Sequence, residues 1–249
     1  MTPEDIFERH KLKFKTFEPA GAGYDNHVFM SEDYVLRISK NTVFADHARE
    51  ARLAKAALKL GVTTAACVAF GQDYSIWKRL PGVRSNRNTS PVTLWESLLN
   101  DLEKLHANPL EVAPENLPEE WISHEVWIER TQNMAIWSGL ERKKLESILI
   151  AKHPITRHSF IHGDAWQDNV LEFEGCYAGL IDWTGAGWSS LEFECSRLEQ
   201  PALDLALTRW KSEIDVELML KMRLELMLRV GTLRRVDWAV IREIMTKLS

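Results

Sequence analysis

Cysteine is scarce in this chain: Cys67, Cys176 and Cys195 are far apart and show no C-x-x-C spacing. A disulfide frame and a cysteine zinc site are therefore excluded, and the three read as buried thiols of a reducing cytoplasm. No uninterrupted apolar run is long enough to span a bilayer. The acidic start, Met1-Thr2-Pro3-Glu4-Asp5, leads into no apolar stretch, so a secretory signal is not expected. Cationic charge is not in excess either: 31 Lys and Arg face 36 Asp and Glu, a formal net charge of −5. Nucleic acid is thus a poor partner, since phosphate backbones are met by clustered cations. There is no G-x-x-x-x-G-K-[ST] segment, which argues against a P-loop protein. Internal repeats and low-complexity tracts are absent too.

What is present is an ordinary globular balance, 45% apolar and 27% charged over 249 residues, enough for one large domain or two modest ones. The first third reads as strands with one helix. Asn26 to Met30 is a short strand and Tyr34 to Ser39 a clearer one. Alternation places Tyr34, Leu36 and Ile38 on one face, with Val35, Arg37 and Ser39 on the other. Asp46 to Leu60 is a helix that Gly61 ends. Val68 to Phe70 and Tyr74 to Trp77 form a strand pair. Composition changes at Pro81-Gly82, and a polar stretch runs from Arg84 to Ser90. Beyond it Leu94, Trp95, Leu98, Leu99, Leu102, Leu105 and His106 recur at helical spacing. A loop from Pro109 to Pro118 follows, then helical patterns through Leu149. Val170 to Ile181, turning at Glu174-Gly175, reads as a hairpin. From Leu203 to Leu248 the pattern is helical with a break near Gly231.

One stretch carries chemistry: Phe160-Ile161-His162-Gly163-Asp164-Ala165-Trp166-Gln167-Asp168-Asn169, followed by Leu180-Ile181-Asp182-Trp183. Asn169 stands five positions after Asp164 and Asp182 eighteen after it, with the hairpin between. Phosphoryl transfer needs a group that orients a hydroxyl and takes its proton, and metal ions that bridge the phosphates. A loop carboxylate meets the first need. An Asn oxygen and a second carboxylate are hard ligands suited to magnesium.

This H-G-D-x4-N pattern with its following I-D-W resembles the aminoglycoside phosphotransferase and choline-kinase group of kinase-like enzymes, over roughly Gly21 to Leu207. The resemblance implies an α+β, protein-kinase-like fold. Residues 1–80 would form a small N-terminal lobe with an antiparallel sheet and one helix. Residues 81–249 would form a larger, mainly helical lobe, with a hinge about 77–82. It implies Asp164 as the residue orienting the acceptor hydroxyl, with Asn169 and Asp182 binding Mg2+. His162 would support the loop. The donor would be ATP, with GTP as the alternative.

The small lobe of such a fold needs a strand cation fixed by a helix carboxylate. Arg37 lies on the strand face opposite Leu36, and Glu50 shares a helix stripe with Leu53, Ala54 and Ala57. A buried carboxylate wants a cationic partner, so the two are expected to pair. Lys40 falls on the Tyr34 face and is the weaker choice. Gly21 and Gly23 stand where a nucleotide-covering loop would be, without the full G-x-G-x-x-G. Trp77 and Arg79 stand in the hinge, whose backbone would read the adenine edge.

The acceptor is expected to be a hydroxyl of a cationic small molecule, most readily an aminoglycoside-type antibiotic; choline or another amino alcohol is the alternative. Carboxylates that could line its site are Asp168, Glu192, Glu194 and Glu199, with Glu119, Glu120 and Glu125 besides. Trp166 and Trp188 could stack on it. Residues 185–200 depart from the family, whose Asp-Leu-Ala helix is matched only at Leu203-Asp204-Leu205-Ala206. A binding protein that kept the fold and lost catalysis is disfavoured, because all three motif residues are present. The expected form is a cytoplasmic monomer or homodimer.

Overall fold

The computed structural model describes residues 2–14, 16–22, 26–40, 46–107, 137–150, 159–231 and 238–248. The expected loop at 109–118 and Glu119, Glu120 and Glu125 lie outside them.

The chain opens with helix α1 (Pro3–Arg9), where the expectation of a single helix in this part is corrected. Thr2 and Asp5 cap it reciprocally, each side chain accepting from the other's amide, and Pro3 suits the first turn. Its seven residues bury only Ile6 and Phe7, too few to leave a readable period.

Five strands follow: β1 (Glu18–Ala22), β2 (Asn26–Met30), β3 (Tyr34–Ser39), β4 (Cys67–Phe70) and β5 (Tyr74–Lys78). They form one antiparallel sheet in the order β1-β2-β3-β5-β4. Register sets Leu36 against Ile76 and Ile38 against Tyr74; this face packs on Ile6 and Phe7 of α1. Alternation turns Val35, Arg37, Ser75 and Trp77 to the opposite face. Helix α2 (His47–Lys59) lies between β3 and β4. Asp46 caps its start by accepting from the Arg49 amide, and Gly61 ends it at φ +78, where a side chain is disfavoured.

Next come β6 (Val83–Arg84) and α3 (Val92–His106). Leu94, Leu98, Leu102 and Leu105 are fully buried along one α3 stripe, each contributing about 1.5–3 kcal/mol of apolar transfer. After α4 (Gly139–Ile150) and β7 (Ser159–Ile161) comes the hairpin β8 (Val170–Phe173) and β9 (Cys176–Leu180). Its turn residues Glu174 and Gly175 both take positive φ, 51 and 76, as a type I′ turn requires. The polar stretch after Gly82 is not wholly irregular, because β6 joins the hairpin as a third strand beside β8.

The segment 185–200 is likewise structured. It holds β10 (Gly187–Ser189), paired antiparallel with β7, and helix α5 (Leu191–Arg197). Helices α6 (Ala202–Arg209), α7 (Val216–Gly231) and α8 (Trp238–Lys247) complete the described chain.

Leu53, Ala57 and Trp77 belong to the same apolar core as Leu98, Phe160, Leu180 and Trp183, so one core crosses position 80. The expectation of three buried thiols is corrected as well. Cys195 is buried, Cys67 is half-buried, and Cys176, beside the hairpin turn, is exposed; all are free. Among the described residues no helix is long and apolar enough to cross a membrane.

Candidate active site

The motif loop leaves β7 and is held from beneath. Glu194 on α5, with 0% exposure, accepts from the His162 amide at 2.7 Å and the Gly163 amide at 3.2 Å. His162 is also buried; its Nε2 donates to the Ile181 carbonyl at 3.2 Å and its ring meets Trp183 edge-on. Gly163, at φ +72, turns the chain so that Asp164 faces outward with 37% of its side chain exposed. A 3-10 turn, Gln167–Asn169, then brings Asn169 back. Asn169 Nδ2 donates to the Asp164 carbonyl at 2.9 Å and to Asp164 Oδ2 at 3.0 Å. The Ile181 amide donates to the Asn169 carbonyl at 2.9 Å, which ties this turn to the end of β9.

Asp182 follows directly, in the left-handed region at φ +66. Its Oδ1 accepts from the Thr184 hydroxyl at 2.7 Å and lies 3.5 Å from Arg37 Nη2. Arg37 Nη1 pairs with Glu50 Oε1, which also accepts from the Trp183 amide at 3.2 Å. Strand β3, helix α2 and the turn after β9 thus meet at one guanidinium. The expected Arg37–Glu50 pair is present, and Asp182 shares it, which no local pattern foretold.

Burial by itself would raise the Asp182 carboxyl, yet Arg37 and the Thr184 hydroxyl outweigh it and hold it below the usual range. Burial would lower the Arg37 guanidinium, but Asp182 and Glu50 together keep it above its ordinary value. Asp164 differs. Burial pushes its carboxyl up, and Arg197 Nη1, 3.7 Å away, pulls it only part of the way back. The two carboxylates are therefore shifted in opposite directions, Asp182 down and Asp164 up.

Asp182 and Asn169 are the residues that could hold a hard divalent cation such as Mg2+: Asp182 would offer a charged oxygen, and Asn169, its amide nitrogen committed to Asp164, would offer its amide oxygen. Among the described residues no three His, Cys, Asp or Glu side chains gather as a cage.

The remaining expected residues scatter. Gly21 lies in β1, and Gly23 falls outside the described residues. Trp77 is a buried core residue whose indole donates to Ser75 Oγ at 2.8 Å. Arg79 donates to the Ser31 carbonyl at 2.9 Å, at the turn between β2 and β3. Asp168 is exposed and Trp166 half-buried on the motif loop. Three of the acceptor candidates are corrected, because the core has claimed them. Trp188 is buried opposite Phe160, Glu192 is buried and accepts from the Asp215 amide at 3.0 Å, and Glu194 lies beneath the loop. Glu199 is 3.5 Å from Arg87.

The chief residues that sequence reasoning missed are Glu194 as a loop support and Arg197 beside Asp164. Their only sequence signal is a pair of acids, Glu192 and Glu194, inside the otherwise apolar run Leu191 to Cys195. The structure also shows that the helix carboxylate reaching the loop is Glu194. Asp204 is exposed on α6.

A five-stranded antiparallel sheet with one crossing helix, its glutamate paired to a strand arginine, followed by a mainly helical part bearing the motif loop, is a protein-kinase-like arrangement. The chain belongs to the phosphotransferase enzyme family, whose model matches residues 16–218. Solved structures agree in fold. The GDP and kanamycin complex of APH(2")-IIia superposes with a TM-score of 0.72 at 18% identity, covering 98% of this chain and 95% of that one. Macrolide 2'-phosphotransferase MphH from Brachybacterium faecium gives 0.64 at 18%, covering 98% and 96%. A choline/ethanolamine kinase family protein from Mesorhizobium loti gives 0.62 at 17%, covering 94% and 87%. Among curated protein sequences nothing matches the chain.

Proposed function

We propose that this protein transfers the γ-phosphate of ATP, or of GTP in its place, to a hydroxyl of a small molecule, with Mg2+ as cofactor. The observation that supports the reading is a run of contacts: Asn169 bonds Asp164, Arg37 lies against both Glu50 and Asp182, and Gly185, just after Asp182, lies against Asp164. Residues 1–80 would hold the nucleotide, residues 81–249 the acceptor, and 77–82 would be the hinge between them.

In this reading Arg37 meets the phosphates, with Glu50 fixing its direction. Asp182 and Asn169 would hold Mg2+, which when bound screens phosphate charge during transfer. Asp164 orients the acceptor hydroxyl and takes its proton as the oxygen attacks phosphorus. Its raised basicity suits that task. Glu194 keeps His162 and Gly163 in place, so the carboxylate needs no reorganisation at the moment of reaction.

We take the acceptor to be an aminoglycoside-type antibiotic, a reading supported by the kanamycin complex of a protein with the same fold. Among the described residues, Asp168 and Trp166 on the motif loop, and Glu199 beyond α5, are the acceptor candidates that are not buried. The free cysteines suit a cytoplasmic setting. The test is ADP release with Mg2+ and ATP against aminoglycosides, macrolides, choline and other amino alcohols, with 31P NMR of the product. A phosphate monoester on one acceptor class is the expected outcome. Nucleotide that neither binds nor turns over with any of them would refute the reading.

A further inference from the structure

Two consecutive residues of α2 grip the turn that follows Asp182. Glu50 takes the Trp183 amide at 3.2 Å. Arg49 reaches further: Nη1 donates to the Thr184 carbonyl at 3.1 Å, and Nη2 donates to the Ala186 carbonyl. The start of this reach is itself fixed. Asp46 accepts from the Arg49 amide at 2.8 Å, and the helix is anchored by buried Ala51, Leu53 and Ala54.

The turn needs such support. Asp182 holds a positive φ that costs a non-glycine residue of order 1–3 kcal/mol unless its surroundings enforce it. The 3-10 turn Trp183–Gly185 beyond it has weaker internal hydrogen bonds than an α-helix. On its far side Gly185 lies directly against Gly163 and Asp164. The turn is therefore pressed between α2 and the motif loop, and anything that lifts it from α2 moves it relative to Asp164.

We propose that Arg49 is a positioning residue for phosphoryl transfer. By clamping the carbonyls of Thr184 and Ala186 it makes the place of α2 set the spacing between Asp182 and Asp164. This rests on the phosphotransferase reading given above. Arg49 acts through the backbone of 184–186 and not on the reacting atoms. Its planar fork can reach two carbonyls at once, which a lysine cannot copy.

Arg49→Met removes both bonds and keeps the apolar stem; Arg49→Lys keeps the charge and a single donor group. In the nucleotide-free full chain, amide hydrogen exchange at residues 183–186 is expected to rise ~10-fold in Arg49→Met, with the amides of β3 and β5 unchanged. In the ADP-release assay kcat is expected to fall ~10-fold while KM for ATP moves less than ~3-fold, and Arg49→Lys should recover part of the loss. Wild-type exchange at 183–186 with wild-type kcat overturns the clamp. A rise in exchange spread over the whole chain in both variants also overturns it, since it would mark support of the fold alone. The phosphotransferase reading is judged separately. A wild-type protein whose Tm is not raised by Mg2+ with ADP defeats that reading, whereas the exchange measurement still decides whether Arg49 holds the turn.

Discussion

Gly163 and Gly185 meet back to back: a Cβ built on Gly163 would fall 2.1 Å from the Gly185 carbonyl oxygen, and one on Gly185 would fall 3.2 Å from Asp164 Cβ. At these two glycines the motif loop and the turn after Asp182 meet with almost no side chain between their backbones. This contact joins the backbone that carries Asp164 to the backbone that follows Asp182.

Gly163→Ala tests that contact. The residue sits at φ +72 and its new methyl would overlap backbone that cannot swing away. We expect a loss of at least ~2 kcal/mol in stability and a kcat lowered by more than ~10-fold. Gly185→Ala, whose nearest contacts are at 3.2 Å, should cost less. Urea unfolding and ADP release on both variants check the order.

Asp164→Ala separates chemistry from folding. The side chain is 37% exposed and lies outside the apolar core, so Tm should stay within a few degrees. Turnover should fall by ~10²–10⁴-fold, the usual worth of a positioned base. A variant that kept near-normal turnover would falsify the role given to Asp164.

Glu194→Gln tests support from beneath. Burial alone would raise this carboxyl, but His106 and the His162 amide prevail and hold it below the usual range, so it is an anion facing two N–H donors. An amide turns one donor toward another. We expect a loss of about 1.5–3 kcal/mol by denaturant titration, with a lower kcat because the loop that carries Asp164 is loosened.

How much of this was legible in the sequence follows from the range of the interactions. The strands at 26–30 and 34–39, helix α2 and the hairpin showed through local alternation and turn chemistry. The Arg37–Glu50 pair showed because one residue's strand face and the other's helix stripe could each be read within a few positions. Glu194 did not show: its partners lie 31 and 32 positions earlier, and nothing local to α5 points to them. The same distance hid β10, whose pairing with β7 depends on chain that a sequence reading cannot bring together. Glu192 and Trp188 were read as facing an acceptor because exposure is a property of the finished fold.

A pH-dependent contribution is expected where α4 meets α8. Arg242 donates to Glu141 Oε1 at 2.7 Å and the Ser138 amide donates to Oε2 at 2.8 Å, which bring the Glu141 carboxyl down to about 2. A folded-state value below the unfolded one means stability that is fully present above the ordinary 4.5 and is lost as pH falls toward 2. Glu141→Gln should therefore lower Tm at neutral pH, and its difference from the wild type should shrink as pH falls from about 5 to about 2. Calorimetry across that range, at low and high salt, measures it. Because the pair is exposed, the difference should also shrink with added salt.

In the proposed function Asp182, held below the usual carboxylate range by Arg37, serves a nucleotide-bound metal beside Asp164. Titrating Mg2+ in the ADP-release assay, with wild type and Asp182→Asn side by side, tests it most directly. A saturable Mg2+ dependence in the wild type, with a loss of several orders of magnitude in Asp182→Asn that excess Mg2+ does not restore, is the result expected. Equal rates for the two proteins, or wild-type turnover that survives removal of the metal by EDTA, would contradict it.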